Sequence, residues 1–219
     1  RRWLVAITLL AGLAAAVGTS AAQPAGRTFA TLMEAAQILM SVTVPFLGAL
    51  LVHDLRGAPR TARLAPTLLA ATLLAVAAGL FGVLVCALTL TFAPAVSGAD
   101  PWLNVGVLSV GGVLVQVTAQ LTGTALGLLL RSSVIACLGT IVLPMGLWLA
   151  LGAADVLHPA QAWLTPYASA QNLLSGRMTL LAWLQWTVVL LIWGVGLNAV
   201  GAARLRRVPA VRTGPGEAS

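Results

Sequence analysis

The residues best placed to do chemistry lie inside apolar runs. Gln116, Gln120 and Thr124 recur every four residues, with Ala119, Gly123 and Gly127 beside them. An amide turned towards hydrocarbon is costly, so this stripe must face protein or water. It predicts either helix–helix contact or the lining of a substrate path, and both hold if the path runs along a dimer seam. Gly123-Thr124-Ala125-Leu126-Gly127 also fits the GxxxG spacing of close helix contacts. An earlier run repeats the pattern, with Gln37, Ser41 and Pro45 at four-residue steps on one expected face. Between two apolar runs stands the densest charged stretch, His53-Asp54-Leu55-Arg56-Gly57-Ala58-Pro59-Arg60-Thr61-Ala62-Arg63. It is too short for a domain and reads as an elbow at a membrane surface.

None of these residues makes an enzyme. The chain has no Walker A sequence for nucleotide hydrolysis, no HExxH pair and no GxSxG elbow. It has no lysine for a Schiff base. His53 and His158 fall on opposite sides of the membrane in the topology below, so they cannot share a metal. Cys86 and Cys137 stand in separate runs and read as small packing residues. Glu34 reads as a charge near a helix start rather than a proton carrier. An intramembrane enzyme would need a nucleophile beside a base, and no such pair is visible.

The elements that must position these residues follow from composition. Of 219 residues 59% are hydrophobic and 8% are charged, against about 25% charged in a soluble domain. The mean hydropathy is +0.99. A chain this apolar takes the bilayer as its solvent, where backbone groups must be bonded within the protein. Its apolar runs are continuous rather than alternating, which predicts helices and not a barrel. The fold class expected is an all-α membrane protein.

Six runs are long enough to span about 30 Å of hydrocarbon at about 1.5 Å per residue: Trp3 to Ala22, Leu32 to Val52, Leu64 to Phe92, Asn104 to Leu130, Val134 to Gly152 and Met178 to Val200. The first, after Arg1-Arg2 and before Ser20-Ala21-Ala22, also has the shape of a signal peptide. The chain begins without Met, so residues are expected ahead of Arg1. Pro45 and Pro144 should kink their helices. Ala153 to Arg177 is too polar to span and too apolar for a free loop, so an interfacial or re-entrant hairpin is expected between spans five and six. Residues 1–203 read as one six-span transmembrane domain, and 204–219 as a mobile basic tail.

The net charge is +7, and all twelve basic residues are arginine. In a soluble protein this would point to nucleic acid. Here the arginines end apolar runs, so they set topology and meet anionic lipid. With six spans, one side receives Arg1, Arg2, Arg56, Arg60, Arg63, Arg131, Arg204, Arg206, Arg207 and Arg212. The other receives Arg27 and Arg177. The positive-inside rule then puts both termini, the elbow and the Arg131 turn in the cytoplasm.

Three stretches together resemble a known family. Phe46-Leu-Gly-Ala-Leu-Leu-Val-His-Asp-Leu-Arg-Gly57 is a span running into a charged turn. Leu121-Thr-Gly-Thr-Ala-Leu-Gly-Leu-Leu-Leu-Arg131 is followed at once by another span. Leu164-Thr-Pro-Tyr-Ala-Ser-Ala-Gln-Asn-Leu-Leu-Ser-Gly-Arg177 precedes a Trp-bearing last span that ends near Arg206-Arg207. From span two onward the chain resembles the six-span permease subunit of type-2 ABC exporters. The resemblance implies a bacterial inner-membrane protein without a cofactor of its own. It implies a second permease chain, identical or not, and separate cytoplasmic ATPase subunits that bind ATP and Mg. It also implies that His53, Asp54, Leu55, Arg56, Gly57, Arg60 and Arg63 form the coupling turn on the ATPase, with Arg131 a secondary contact. Short helices within Ala153 to Arg177 would close the external side. Family members usually begin with an amphipathic helix along the cytoplasmic face, which nothing before Trp3 supplies. Because the spans offer no buried charge, the expected substrate is apolar or amphipathic: a drug, an antibiotic, a lipid-like molecule or a peptide. The rival expectation is a membrane sensor, immunity or assembly protein with no ATPase partner.

Overall fold

The computed structural model describes residues 2–22, 27–55, 64–93 and 100–207. Among these, every regular element is helical, and six helical rods are long and apolar enough to cross a membrane. Helix α1 spans Arg2–Ala22, α2 Phe29–Leu55, α3 Leu64–Phe92, α4 Val105–Leu129 and α5 Ser133–Gly152. A single 3-10 turn, His158–Ala160, leads into two short helices, α6 at Gln161–Leu164 and α7 at Pro166–Leu174. The last rod is continuous but mixed, with α8 at Leu180–Val189, a π segment at Leu190–Gly196 and α9 at Leu197–Arg207. Arg204 therefore sits inside a helix rather than at the start of a tail. Helices α2 and α5 run on through Pro45 and Pro144.

Helix α4 is the hub, and α2 is its closest partner. The pairing runs in the same direction along both rods. Phe29 stacks on Trp102 at 5.9 Å, and its N–H donates to Pro101 O at 2.8 Å. Further along, Gln116 reaches Gln37, Gly123 faces Pro45 and Gly127 faces Ala49. The last rod also lies parallel to α4, with Trp186 beside Thr118, Asn198 beside Leu121, and Gly201 beside Leu128. Helix α3 runs the other way, with Gly79 against Val113. Arg2, Leu55, Leu64, Arg131 and Arg207 thus mark one end of the bundle. Arg27, Asp100 and Arg177 mark the other.

At that second end a side chain ties helix ends together through their backbone carbonyls. Arg27 donates from Nε and Nη2 to Ser20 O (3.0 and 2.6 Å) and from Nη1 to Ala93 O (3.0 Å). This satisfies carbonyls that α1 and α3 leave open at their last turns. Asn104 takes a left-handed φ of 60° before α4, and Gly176 takes φ +69° opposite it. A Cβ on Gly176 would meet Asn104 at 3.4 Å, and the φ itself favours glycine.

The segment between α5 and the last rod dips into the bundle. Gln161 Nε2 donates to Trp148 O near the end of α5 (2.6 Å), which fixes where α6 begins. Leu164 O accepts from Trp193 Nε1 (2.9 Å), deep along the last rod. Thr165 turns the chain back: its Oγ1 donates to Gln161 O (2.8 Å) and accepts from Ala168 N–H (3.3 Å), capping α7. Helix α7 then climbs until Leu173 packs on Gly111 near the start of α4. The short helices expected between spans five and six are present, and Pro166 and Tyr167 reach Thr122, past the midpoint of α4.

Candidate functional site

The four-residue steps that drew attention in the sequence do not make one wall. A helix turns 100° per residue, so each four-residue step drifts about 40° and two steps drift about 80°. Gln116, Gln120 and Thr124 are all fully buried, yet they serve different neighbours. Gln116 Nε2 donates to Gln37 O (2.9 Å) and Gln37 Oε1 (2.7 Å), and Gln37 Nε2 donates to Gly79 O (3.0 Å). Gly82 and Gly112 leave the slot that the Gln37 side chain fills, since a Cβ on either would strike it. Thr124 Oγ1 instead donates to Leu121 O (2.8 Å) and to Asn198 Oδ1 (3.0 Å) in the last rod. Asn198 Nδ2 donates to Leu121 O (2.8 Å) and Gly194 O (2.6 Å).

Gln120 is different. Both its Nε2 and Oε1 are buried without a hydrogen-bond partner, as is Gln116 Oε1. Gly123 and Gly127 bring α4 against the α2 backbone at Pro45 and Ala49, within one chain. Of the residues expected to line a path or a seam, Gln37, Gln116, Gly123, Thr124 and Gly127 are thus used in holding α2, α3, α4 and the last rod together. The exceptions are Gln120, buried without a partner, and Ser41.

Ser41 opens onto a cavity of about 370 Å3 between α2, α4, α5 and α7. Pro45 and Val42 continue its α2 wall, Thr118 and Thr122 its α4 wall, Thr140 and Pro144 its α5 wall, and Tyr167 and Ser169 its α7 wall. Among the described residues no charged side chain lines it. Four hydroxyls already donate to carbonyls of their own helices: Ser41 to Ile38 O (2.7 Å), Thr118 to Leu114 O (2.9 Å), Thr122 to Thr118 O (2.9 Å) and Thr140 to Cys137 O (2.7 Å). They keep lone pairs but no proton to offer. Thr118 spends one lone pair on Trp186 Nε1–H at 3.3 Å. Ser169 is 2% exposed, and its Oγ has no partner.

No known protein family, curated protein or solved structure matches this chain.

Of the elbow, His53 lies in the last turn of α2, half-buried, with Nδ1 buried and unpartnered. Helix α2 ends at Leu55. The expected contacts at Arg56, Gly57, Arg60 and Arg63 lie outside the described residues. Arg131 is exposed in a tight turn between Leu129 and Ser133, where Ser132 Oγ caps α5 by accepting from Ile135 N–H (3.4 Å). His158 stands exposed at the opposite end from His53. Among the described residues no three His, Cys, Asp or Glu side chains gather.

Two features went unread in the sequence. Asn198 is an amide deep in the last apolar run, a signal of the same kind as Gln116. Ser169 carried no such signal, because nothing in its neighbours distinguishes it from Ser175.

Proposed function

We propose that this chain is the permease subunit of an ATP-driven exporter of the type-2 ABC kind. It lies in the bacterial inner membrane with both termini in the cytosol. It pairs with a second permease chain, and separate ATPase subunits bind ATP and Mg and hydrolyse the nucleotide. The observation that carries the reading is the match between arginine placement and the two ends of the bundle. Arg2, Arg131 and Arg204 sit towards one end, and in sequence Arg56, Arg60 and Arg63 fall between α2 and α3. Arg27 and Arg177 sit at the other, beside the dipping α6–α7 segment. That segment is read as a re-entrant hairpin closing the external side.

The chain itself makes and breaks no bonds in this reading. ATPase closure pushes the elbow at the end of α2. Because Gly123 and Gly127 seat α2 directly on α4, the push is carried into α4 rather than lost in soft side chains. Far fewer residues of α5 are buried, so α2 moves relative to it, and the cavity between them changes width. Coupling of this kind is a free energy shared between a nucleotide site on one protein and a substrate site on another. The cargo is an apolar or amphipathic molecule, in keeping with a cavity that offers no charge.

Co-purification with an ATPase encoded by a neighbouring gene tests the proposal. The wild-type chain should hold the ATPase and stimulate its turnover. Replacing Arg56, Arg60 and Arg63 together by Ala should weaken capture about tenfold or more, the loss expected when several charged contacts go. Unchanged capture and coupling would reduce the elbow to a solvated turn. If the wild-type chain holds no ATPase, a membrane sensor, immunity or assembly protein becomes the better description.

A further inference from the structure

The geometry points to the cavity between α2, α4, α5 and α7 as a binding site for an uncharged amphipath carrying a hydroxyl or amide, with Ser169 as its hydrogen-bond donor. This deepens the permease reading, on which its meaning for transport rests, by naming the chemistry of the cargo and the atoms that meet it.

Three observations converge. First, the space is real and mostly apolar: about 370 Å3, walled by Ile38, Val42, Val115, Ile141 and Met145 among others. Val42, Ile141 and Met145 on its walls are each more than a third exposed, so the space lies open to a molecule dissolved in the bilayer. Second, the polar groups are asymmetric once Tyr167 and Gln171 are set aside, which also line the space but are not buried. Ser41, Thr122 and Thr140 have given their protons to helix carbonyls and can only accept. Ser169 Oγ is buried with no partner, and such a group is normally satisfied by something. A pure hydrocarbon tail would leave it unsatisfied. An alcohol or amide supplies an acceptor for Ser169 and a donor for one of the other hydroxyl oxygens. Third, among the described residues no charged side chain lines the walls, so a formal charge brought in would lose its hydration with no charged partner there to replace it.

Photolabelling of the purified chain in lipid nanodiscs, without ATPase, tests the assignment. Four probes carry the same alkyl diazirine: decanol, decane, decyl sulfonate and decyl trimethylammonium. Decanol should label saturably, with adducts in the peptides holding Thr140 to Met145 and Pro166 to Leu173. The two charged probes should bind at least about tenfold more weakly, given the cost of an unpaired charge in an apolar site. Ser169→Ala should weaken decanol about fivefold to tenfold, the equivalent of one hydrogen bond, and leave decane unchanged. Ser169→Cys, which keeps a weak donor, should fall between. The assignment is overturned if charged probes compete equally or if Ser169→Ala leaves decanol binding intact, as a site merely filled by water would. It is also overturned if adducts spread without saturation over the exposed faces of α1, α3 and α5. Since no ATPase is present, such a result leaves the permease reading standing. Failure to capture an ATPase, in turn, leaves the ligand site standing.

Discussion

The two buried glutamines of α4 look alike in sequence and should behave oppositely when replaced. Gln116→Leu removes both bonds to Gln37 and leaves that amide partly unmatched in the core. It should destabilise the protein by about 1–2 kcal/mol, since membrane interhelical hydrogen bonds are worth about 0.6–2 kcal/mol and a stranded partner adds to the loss. Gln120→Leu removes an amide whose nitrogen and oxygen have no partner. It should be neutral or stabilise by about 1 kcal/mol, because the cost of an unmatched buried polar group is relieved. Equilibrium unfolding of the two variants in mixed micelles separates them, and equal losses would mean that Gln120 is bonded after all. The sequence showed that these amides must face inward but not whom they meet. A drift of about 40° per step is enough to send Gln116 to α2 and Thr124 to the last rod. Ser169 was invisible for a related reason: whether its Oγ finds a partner depends on the packing of α7 and not on its neighbours in sequence.

At the level of the helices, the apolar runs predicted the rods to within a few residues, because length and hydropathy are what a bilayer selects. They also marked Ala153 to Arg177 as neither span nor loop, and that segment holds the 3-10 turn, α6 and α7. The path of the dip was not legible, since it is fixed by Trp193, Trp148 and Gly111, all distant in the chain. Neither was the partner of Gly123 and Gly127. A GxxxG match says that backbones meet, and here the partner is α2 of the same chain. A side chain on Gly123 would drive into the Pro45 backbone, so Gly123→Ala should cost about 1–3 kcal/mol, the usual range for overpacking. Gly146 on α5 has nothing near it, and Gly146→Ala should be harmless or stabilising by up to about 1 kcal/mol through helix propensity. Thermal unfolding of this pair checks the claim that α2 and α4 touch through backbone. A cost at Gly146 as large as at Gly123 would refute it.

For the whole molecule, the charge placement makes a directional prediction. With Cys86 and Cys137 replaced by Ser, Arg131→Cys should react with an impermeant thiol reagent only from the cytosolic side, and Arg177→Cys only from the opposite side. Both side chains are exposed, so access is not limited by burial. Reaction of position 131 from outside would invert the bundle and remove the basis for docking an ATPase at the elbow. The bundle is also unevenly anchored. Of the membrane-length stretch of α2, 50% is buried within the protein, against 17% for α5, which hides only Ala136, Thr140 and Pro144. Glycine contacts make α2 and α4 a stiff spine, while α5 leans on it through little more than one face. A bilayer that thins or thickens presses on both, but only the lightly tethered helix is free to change its tilt. The lipid around this protein thus has a mechanical hold on the width of the cleft, quite apart from anything bound inside it.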